Sequence, residues 1–367
     1  MAGQTGNKDK RQSRSRRPDF ELLGETIPAG QRAKLEMDIG KLYTNTPLTI
    51  GVEVIHGKHE GPVLLVTAAI HGDELNGIEV CRRLSKSPAL DKLKGTLILV
   101  PVVNAFGFIQ QIRYLPDRRD LNRCFPGSEK GSLGSRIAYL LRTELLTHCT
   151  HVVDLHTGAI HRSNLPQIRG NLESEENLEL AHAFGAPVVL HSSNLDGSFR
   201  DAADKLGKPF ILYEAGQALR FDEASINGGV KGVLGVMTHL GMLARKSGKK
   251  SLESIVARSS QWVRANHDGM MVANVELGER VKKDDILALI VDPYGSMELE
   301  VRSPANGIII GRNNIPVVNE GEALFHIARF DTVQDAEKTV EQFHENMEDL
   351  SDPDLRFTDP WGERYDS

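Results

Sequence analysis

The feature that most constrains this chain is an alternation. Between Leu48 and Arg245, short apolar, β-branched runs (PLTIGVEVI, PVLLVTAAI, TLILVPVV, HVVDLH, APVVLH, KPFILYEAG) are separated by amphipathic stretches such as LNGIEVCRRLSK, SRIAYLLRTELLTH and SFRDAADKLG. A continuous apolar run is how a strand reads when both of its faces are buried, and helices are what cover those faces. The expected fold is therefore α/β: a mixed, largely parallel sheet with helices on both faces. The last run is followed by a longer helical pattern, EASINGGVKGVLGVMTHLGMLAR.

After about Ser260 the pattern changes to short strands with Gly and Pro turns, and a weak repeat emerges. Gly269–Val272 followed by Val281–Ile290 is echoed by Gly307–Ile310 followed by Val318–Ile327. Two similar hairpin halves suggest a small all-β domain resembling the barrel-sandwich of lipoyl and biotinyl carriers. Such carriers present a lysine in the turn between halves. The corresponding link here, VDPYGSMELEVRSPA, has none, so a structural or lid role is expected. The domain reading is a disordered basic tail over 1–20, an α/β domain over 21–258, a β-rich domain over 259–330 and an acidic tail over 331–367.

Composition excludes several classes. The formal net charge of −6 gives no pull toward nucleic acid. No apolar run has membrane-spanning length, and the N-terminus lacks the apolar core of a secretory signal. The three cysteines, Cys81, Cys124 and Cys149, form no CxxC pair, as expected of a chain kept in the reducing cytoplasm. A homo-oligomer is compatible with the sequence.

Chemistry gathers where the apolar runs stop. His71-Gly72-Asp73-Glu74, Asn104-Ala105-Phe106-Gly107, His156-Thr157-Gly158 and Glu214-Ala215-Gly216 each follow such a run. In open α/β sheets ligands bind beyond the carboxyl ends of the strands, so parallel strands would bring these four segments to one rim. His71 and Glu74 have the spacing of neighbours on one helical turn, and His156 joins them from another strand. Two imidazoles and a carboxylate form a catalytic zinc set with one position open, implying one Zn2+ per chain. Asp154, two residues before His156, shares its face of a strand and is placed to bond it from behind. Glu214 at a buried strand end is the candidate proton carrier, a role contributing roughly 10²–10⁴-fold. The segment IRYLPDRRDLNRCFPG gathers Arg113, Arg118, Arg119, Asn122 and Arg123 as groups for a carboxylate or an oxyanion. Gly72 and Gly77 are read as tight turns, and His56, His59, His148 and His151 as solvated or capping residues.

HGDELNG, NAFG, DLNRCFPG, DLHTG and YEAGQ, in that order, resemble the succinylglutamate desuccinylase/aspartoacylase family, which is related to the zinc carboxypeptidases. The resemblance covers roughly 48–330. It implies zinc on His71, Glu74 and His156, Glu214 as general base and later acid, and Asn122 with Arg123 gripping a substrate carboxylate. It also implies an arginine facing the scissile carbonyl. Arg113 fits by spacing from Asn104, with Arg118 and Arg119 as rivals. VVNAFG departs from the family by lacking a proline after the asparagine. The expected activity is hydrolysis of the amide of a small N-acyl amino acid or similar carboxylate. The alternatives are a zinc carboxypeptidase and a non-catalytic scaffold on the same fold. Tyr294 is the one residue of the β-rich part considered for substrate contact.

Overall fold

The computed structural model describes residues 17–245, 254–257, 259–330 and 333–348. The strands of the first part are β1 (Phe20–Leu22), β2 (Glu25–Ile27), β3 (Arg32–Lys41), β4 (Pro47–His56), β5 (His59–Ala68), β6 (Lys94–Val100), β7 (His151–Gly158), β8 (Arg162–Gly170), β9 (Val188–His191) and β10 (Phe210–Gln217). Its helices are α1 (Asn76–Ser85), α2 (Ala105–Gln110), α3 (Leu133–Leu140), α4 (Glu175–Phe184), α5 (Phe199–Lys205) and α6 (Glu223–His239). The second part holds β11 (Ile255–Ala257), β12 (Ser259–Arg264), β13 (Gly269–Ala273), β14 (Arg280–Val281), β15 (Ile286–Val291), β16 (Glu298–Arg302), β17 (Gly307–Asn313), β18 (Val317–Val318), β19 (Ala323–Arg329) and α7 (Val333–Glu348).

One large sheet runs in the order β12-β19-β17-β8-β10-β7-β5-β6-β4-β3. Its centre is parallel, β6 with β5, β5 with β7 and β7 with β10, and antiparallel strands flank it on both sides. The apolar runs explain this centre. Leu64 and Val66 of β5 pack into one core with α1, α4 and α6, while Leu65 packs into the other with β3, β4, α3 and α5. Side chains alternate between faces along a strand, so a strand sandwiched by two cores must be apolar throughout. Helix starts are fixed by side-chain oxygens: Ser132, Ser174, Ser198 and Asp222 each accept a backbone N–H three residues on.

The β-rich part is a barrel-sandwich whose halves exchange short strands, β14 pairing with β17 and β18 with β13. It shares the large sheet, because β17 pairs with β8 over Gly311↔Asn164, Arg312↔Ser163 and Asn313↔Arg162. Three expectations need correction. The stretch from 331 is not a solvated tail throughout: α7 buries Ala336, Val340, Phe343 and Met347. Positions 349–367 lie outside the described residues, as do 1–16 of the basic stretch. Arg17, inside that stretch, donates to the Gly57 and Gly95 carbonyls and to Thr96 Oγ1. Finally, His56 is buried between Thr96 Oγ1 (2.9 Å) and the Pro18 carbonyl (3.0 Å), so it is not solvated.

Candidate metal centre and active site

Because β5, β6, β7 and β10 are parallel, the segments that follow or end them do share one rim. His71 and Glu74 lie in the turn after β5. Gly72 in that turn and Gly77 in the first turn of α1 serve close packing and not a left-handed turn. A Cβ at Gly72 would fall 2.0 Å from the Gly107 carbonyl carbon, and one at Gly77 2.7 Å from the Ala68 and Leu155 Cβ atoms. Asn104 caps α2 by accepting from Gly107 N–H at 2.8 Å, which holds that helix against the turn.

His71, Glu74 and His156 offer ligand atoms that all lie within 4.8 Å of one another, and each residue is at most 5% exposed. His71 Nδ1 lies 2.7 Å from Glu74 Oε1, and His156 Nδ1 lies 2.8 Å from Glu74 Oε2. The outer nitrogens are held from behind. His71 Nε2 is 3.1 Å from Asp120 Oδ1, and His156 Nε2 is 2.8 Å from Asp154 Oδ2. Asp154 in turn accepts from Thr67 Oγ1 at 2.6 Å. A ring nitrogen that donates to a carboxylate leaves the other nitrogen to face a cation. Asp120 therefore supports the second imidazole in the way Asp154 supports the first, a part that its DLNR context did not disclose.

The charges fit a cation. Four acids, Asp73, Glu74, Asp120 and Asp154, surround two imidazoles and one guanidinium, that of Arg113. Asp73 Oδ1 is buried without a partner. Burial alone would raise the Glu74 carboxyl, but the two imidazoles overcome it and hold Glu74 well below its ordinary range. Burial opposes protonation of both rings too, and the carboxylates prevail, so His71 and His156 are both raised. A divalent cation meets the same surplus of negative charge with a better fit.

Of the four arginines, only Arg113 reaches the cluster. Its Nη2 donates to Asp120 Oδ2 at 2.9 Å, and its Nη1 lies 3.3 Å from Glu74 Oε1. Arg118, Arg119 and Arg123 are exposed. Asn122 is buried, and its Oδ1 accepts from Phe199 N–H at 2.8 Å, which fixes the amide orientation and leaves Nδ2 as a donor. Arg123 Nη1 folds back on the Asn122 carbonyl at 2.5 Å. Glu214 stands beside His156 in the parallel β10–β7 register. Its Oε1 accepts from Asn164 Nδ2 at 2.7 Å and its Oε2 lies 3.1 Å from Arg169 Nε. Neither Asn164 nor Arg169 stood out in the sequence. Tyr294 is 91% exposed in a turn of the β-rich part and has no place at this site.

Residues 60–240 match the family model described as the succinylglutamate desuccinylase/aspartoacylase catalytic domain. This catalytic part of the chain belongs to the succinylglutamate desuccinylase/aspartoacylase family. It is 28% identical over 282 residues to an N-alpha-acetyl-L-2,4-diaminobutyric acid deacetylase from Halomonas elongata, covering 73% of this chain and 82% of that one. A succinylglutamate desuccinylase from Silicibacter superposes with a TM-score of 0.73 at 25% identity, over 83% of this chain and 97% of the other. A product-bound ectoine utilization protein from Ruegeria pomeroyi shares the fold with a TM-score of 0.74 at 24% identity, over 82% and 97% of the two chains. These likenesses extend past the catalytic part, so the β-rich part belongs to the shared fold. Among the described residues, no helix is long and apolar enough to cross a membrane.

Proposed function

We propose that this chain is a zinc-dependent deacylase that hydrolyses the amide bond of a small N-acyl amino acid or related carboxylate. The observation that carries the reading is the convergence of the His71, Glu74 and His156 ligand atoms with Glu214 on the adjoining strand. The relative from Halomonas elongata is named as a deacetylase of an acylated amino acid, which supports a substrate of that class.

His71, Glu74 and His156 would hold the ion; zinc, when bound there, supplies the Lewis acidity that makes water a nucleophile near neutral pH. Asp120 and Asp154 keep the two imidazoles turned inward. Glu214 takes the proton from the attacking water and delivers it to the departing amine nitrogen. Arg113, 26% exposed and anchored on Asp120, turns a guanidinium edge to the oxygen on which charge develops. Asn122 Nδ2 and the exposed Arg123 side chain hold the substrate carboxylate. Arg118 and Arg119 are exposed and Arg113 reaches Glu74 and Asp120, which supports Arg113 as the carbonyl arginine.

Glu214→Gln tests the proposal. The variant should keep about one metal per chain while kcat falls by roughly 10²–10⁴-fold. Retained turnover would remove Glu214 from the chemistry. N-acyl amino acids assayed beside short peptides with free C-termini separate a deacylase from a carboxypeptidase, and preferential cleavage of the peptides would overturn the substrate assignment.

A further inference from the structure

A glutamate acting as base has three side-chain torsions to fix, and proton transfer needs it within hydrogen-bond reach of its water. Misplacing a reacting group by about 1 Å can cost on the order of 10²-fold. Something must hold Glu214, and its own strand does not. β10 carries an irregularity between Glu214 and Gly216, where its register with β8 shifts.

The neighbouring strand supplies the hold. Asn164 and Arg169 lie on β8, antiparallel to β10, on either side of Gln167, the residue that opposes Glu214. Asn164 is 6% exposed and donates Nδ2 to Glu214 Oε1 at 2.7 Å. Arg169 Nε stands 3.1 Å from Oε2, close enough for an ion pair yet off the hydrogen-bond axis, so Nε makes no hydrogen bond. The nearby Arg200 is committed elsewhere, donating Nη2 to Ser192 Oγ and the Ser193 carbonyl. Each carboxylate oxygen has two lone pairs, so one anchor per oxygen leaves a lone pair on each for water or amine.

The β-rich part makes room for this arrangement. Gly311 of β17 pairs with Asn164 in the ladder. A Cβ at 311 would stand 2.9 Å from Asn164 Oδ1, 3.1 Å from His326 Cβ and 3.5 Å from the Trp262 ring. A bare backbone at that point leaves room for the Asn164 amide that donates to Glu214.

We infer that Asn164 and Arg169 are positioning residues that clamp the two oxygens of the Glu214 carboxylate, with Gly311 of the β-rich part keeping the Asn164 side of the clamp in place. This rests on Glu214 being the proton carrier. The test uses metal-loaded Arg169→Gln, Arg169→Lys, Asn164→Ala, Gly311→Ala and Glu214→Gln, each checked for metal content and thermal unfolding. Probes are N-acetyl-L-2,4-diaminobutyrate, N-acetyl-L-aspartate and p-nitrophenyl acetate. Arg169→Gln should lower kcat about 10–100-fold with KM within about threefold, and Arg169→Lys should recover part of the loss. Asn164→Ala and Gly311→Ala should lower kcat about tenfold, again without a matching change in KM. Unchanged kcat in Arg169→Gln and Asn164→Ala, or a loss confined to KM, overturns the clamp. A Glu214→Gln variant that still turns over fails the proton-carrier reading instead, so the two failures are distinguishable. A crystal structure of Arg169→Gln keeps the test independent of turnover. The Glu214 carboxylate should shift by more than about 0.5 Å, and an unmoved carboxylate would overturn the inference.

Discussion

The histidine–glutamate cluster and the arginine loop meet on one rim, and they are held by opposite means. In the cluster, every imidazole nitrogen has a carboxylate partner and no residue is more than 5% exposed. In the loop, Arg118, Arg119 and Arg123 stand in solvent, and only Arg113 is tied inward. An overdetermined cluster fixes where a cation sits, which chemistry requires to a fraction of an ångström. A solvated loop leaves long side chains free to adapt to a substrate, at the cost of ordering them when it binds.

The largest effect should come from breaking the cluster. His156→Ala removes one of the three proposed ligands and leaves Glu74 and Asp154 as buried acids without the imidazole between them. Metal content should fall from about one per chain to near zero and turnover by more than about 10³-fold. Extracting the metal from the native protein with a chelator should match that loss and be reversed by zinc. Elemental analysis beside an activity assay decides it, and a variant that keeps its metal would show that the buried triad is a structural ion-pair network only.

The loop should divide on mutation. Arg113→Ala should lower kcat by about 10²-fold or more, as for loss of an oxyanion donor. Arg119→Ala, whose guanidinium lies 3.7 Å from Asp117 in an exposed ion pair, should leave kcat within about twofold, because such pairs are weak. Arg123→Ala should raise KM about tenfold with a smaller change in kcat, the pattern of lost ground-state binding. Equal effects at positions 113 and 119 would erase the distinction drawn from their burial.

The same contrast explains what the sequence disclosed. The convergence of His71, Glu74 and His156 was legible because the apolar runs before them end abruptly, and a polar residue at the end of a doubly buried strand has few structural uses. Strand β8 was not legible. Its residues Asn164, Gln167 and Arg169 are polar and Pro166 interrupts it, so it shows neither an apolar run nor clean alternation. Those polar side chains face Glu214 and the neighbouring backbone, so the pattern is lost where the strand borders the site. Helix α7 was hidden by its net charge. Ala336, Val340, Phe343 and Met347 have helical spacing, but the acids between them gave the whole stretch the composition of a tail. Asp120 was legible as support for its own loop, where it accepts from Asn122 N–H, but not as the partner of His71, since that contact spans 49 positions of sequence.

Another buried histidine sharpens the comparison with the smallest effect. His326 on β19 stacks on Trp262 with ring centroids 4.6 Å apart, and its Nε2 lies 2.8 Å from Ser260 Oγ. It has no carboxylate partner, and its Nδ1 is buried without any partner. Burial first, and the Arg169 charge second, push its pKa down to about 3, the reverse of His71 and His156. The native state therefore keeps His326 neutral while an unfolded chain takes up a proton near pH 6.5. Stability from this group is complete above about pH 6.5 and is lost as pH falls below it, levelling off near 3. Between pH 7 and pH 5 the loss should be about 1–2 kcal/mol. His326→Phe keeps an aromatic ring against Trp262 and has nothing to protonate. Urea unfolding of the metal-free proteins at both pH values isolates the effect, because the opposite contributions of His71 and His156 are common to both and cancel in the difference. The variant should start less stable at pH 7, having lost the Ser260 contact, and close the gap by pH 5. A gap that stays constant would mean that His326 takes up its proton in the fold as readily as in the open chain, and that burial without a carboxylate does not set its charge.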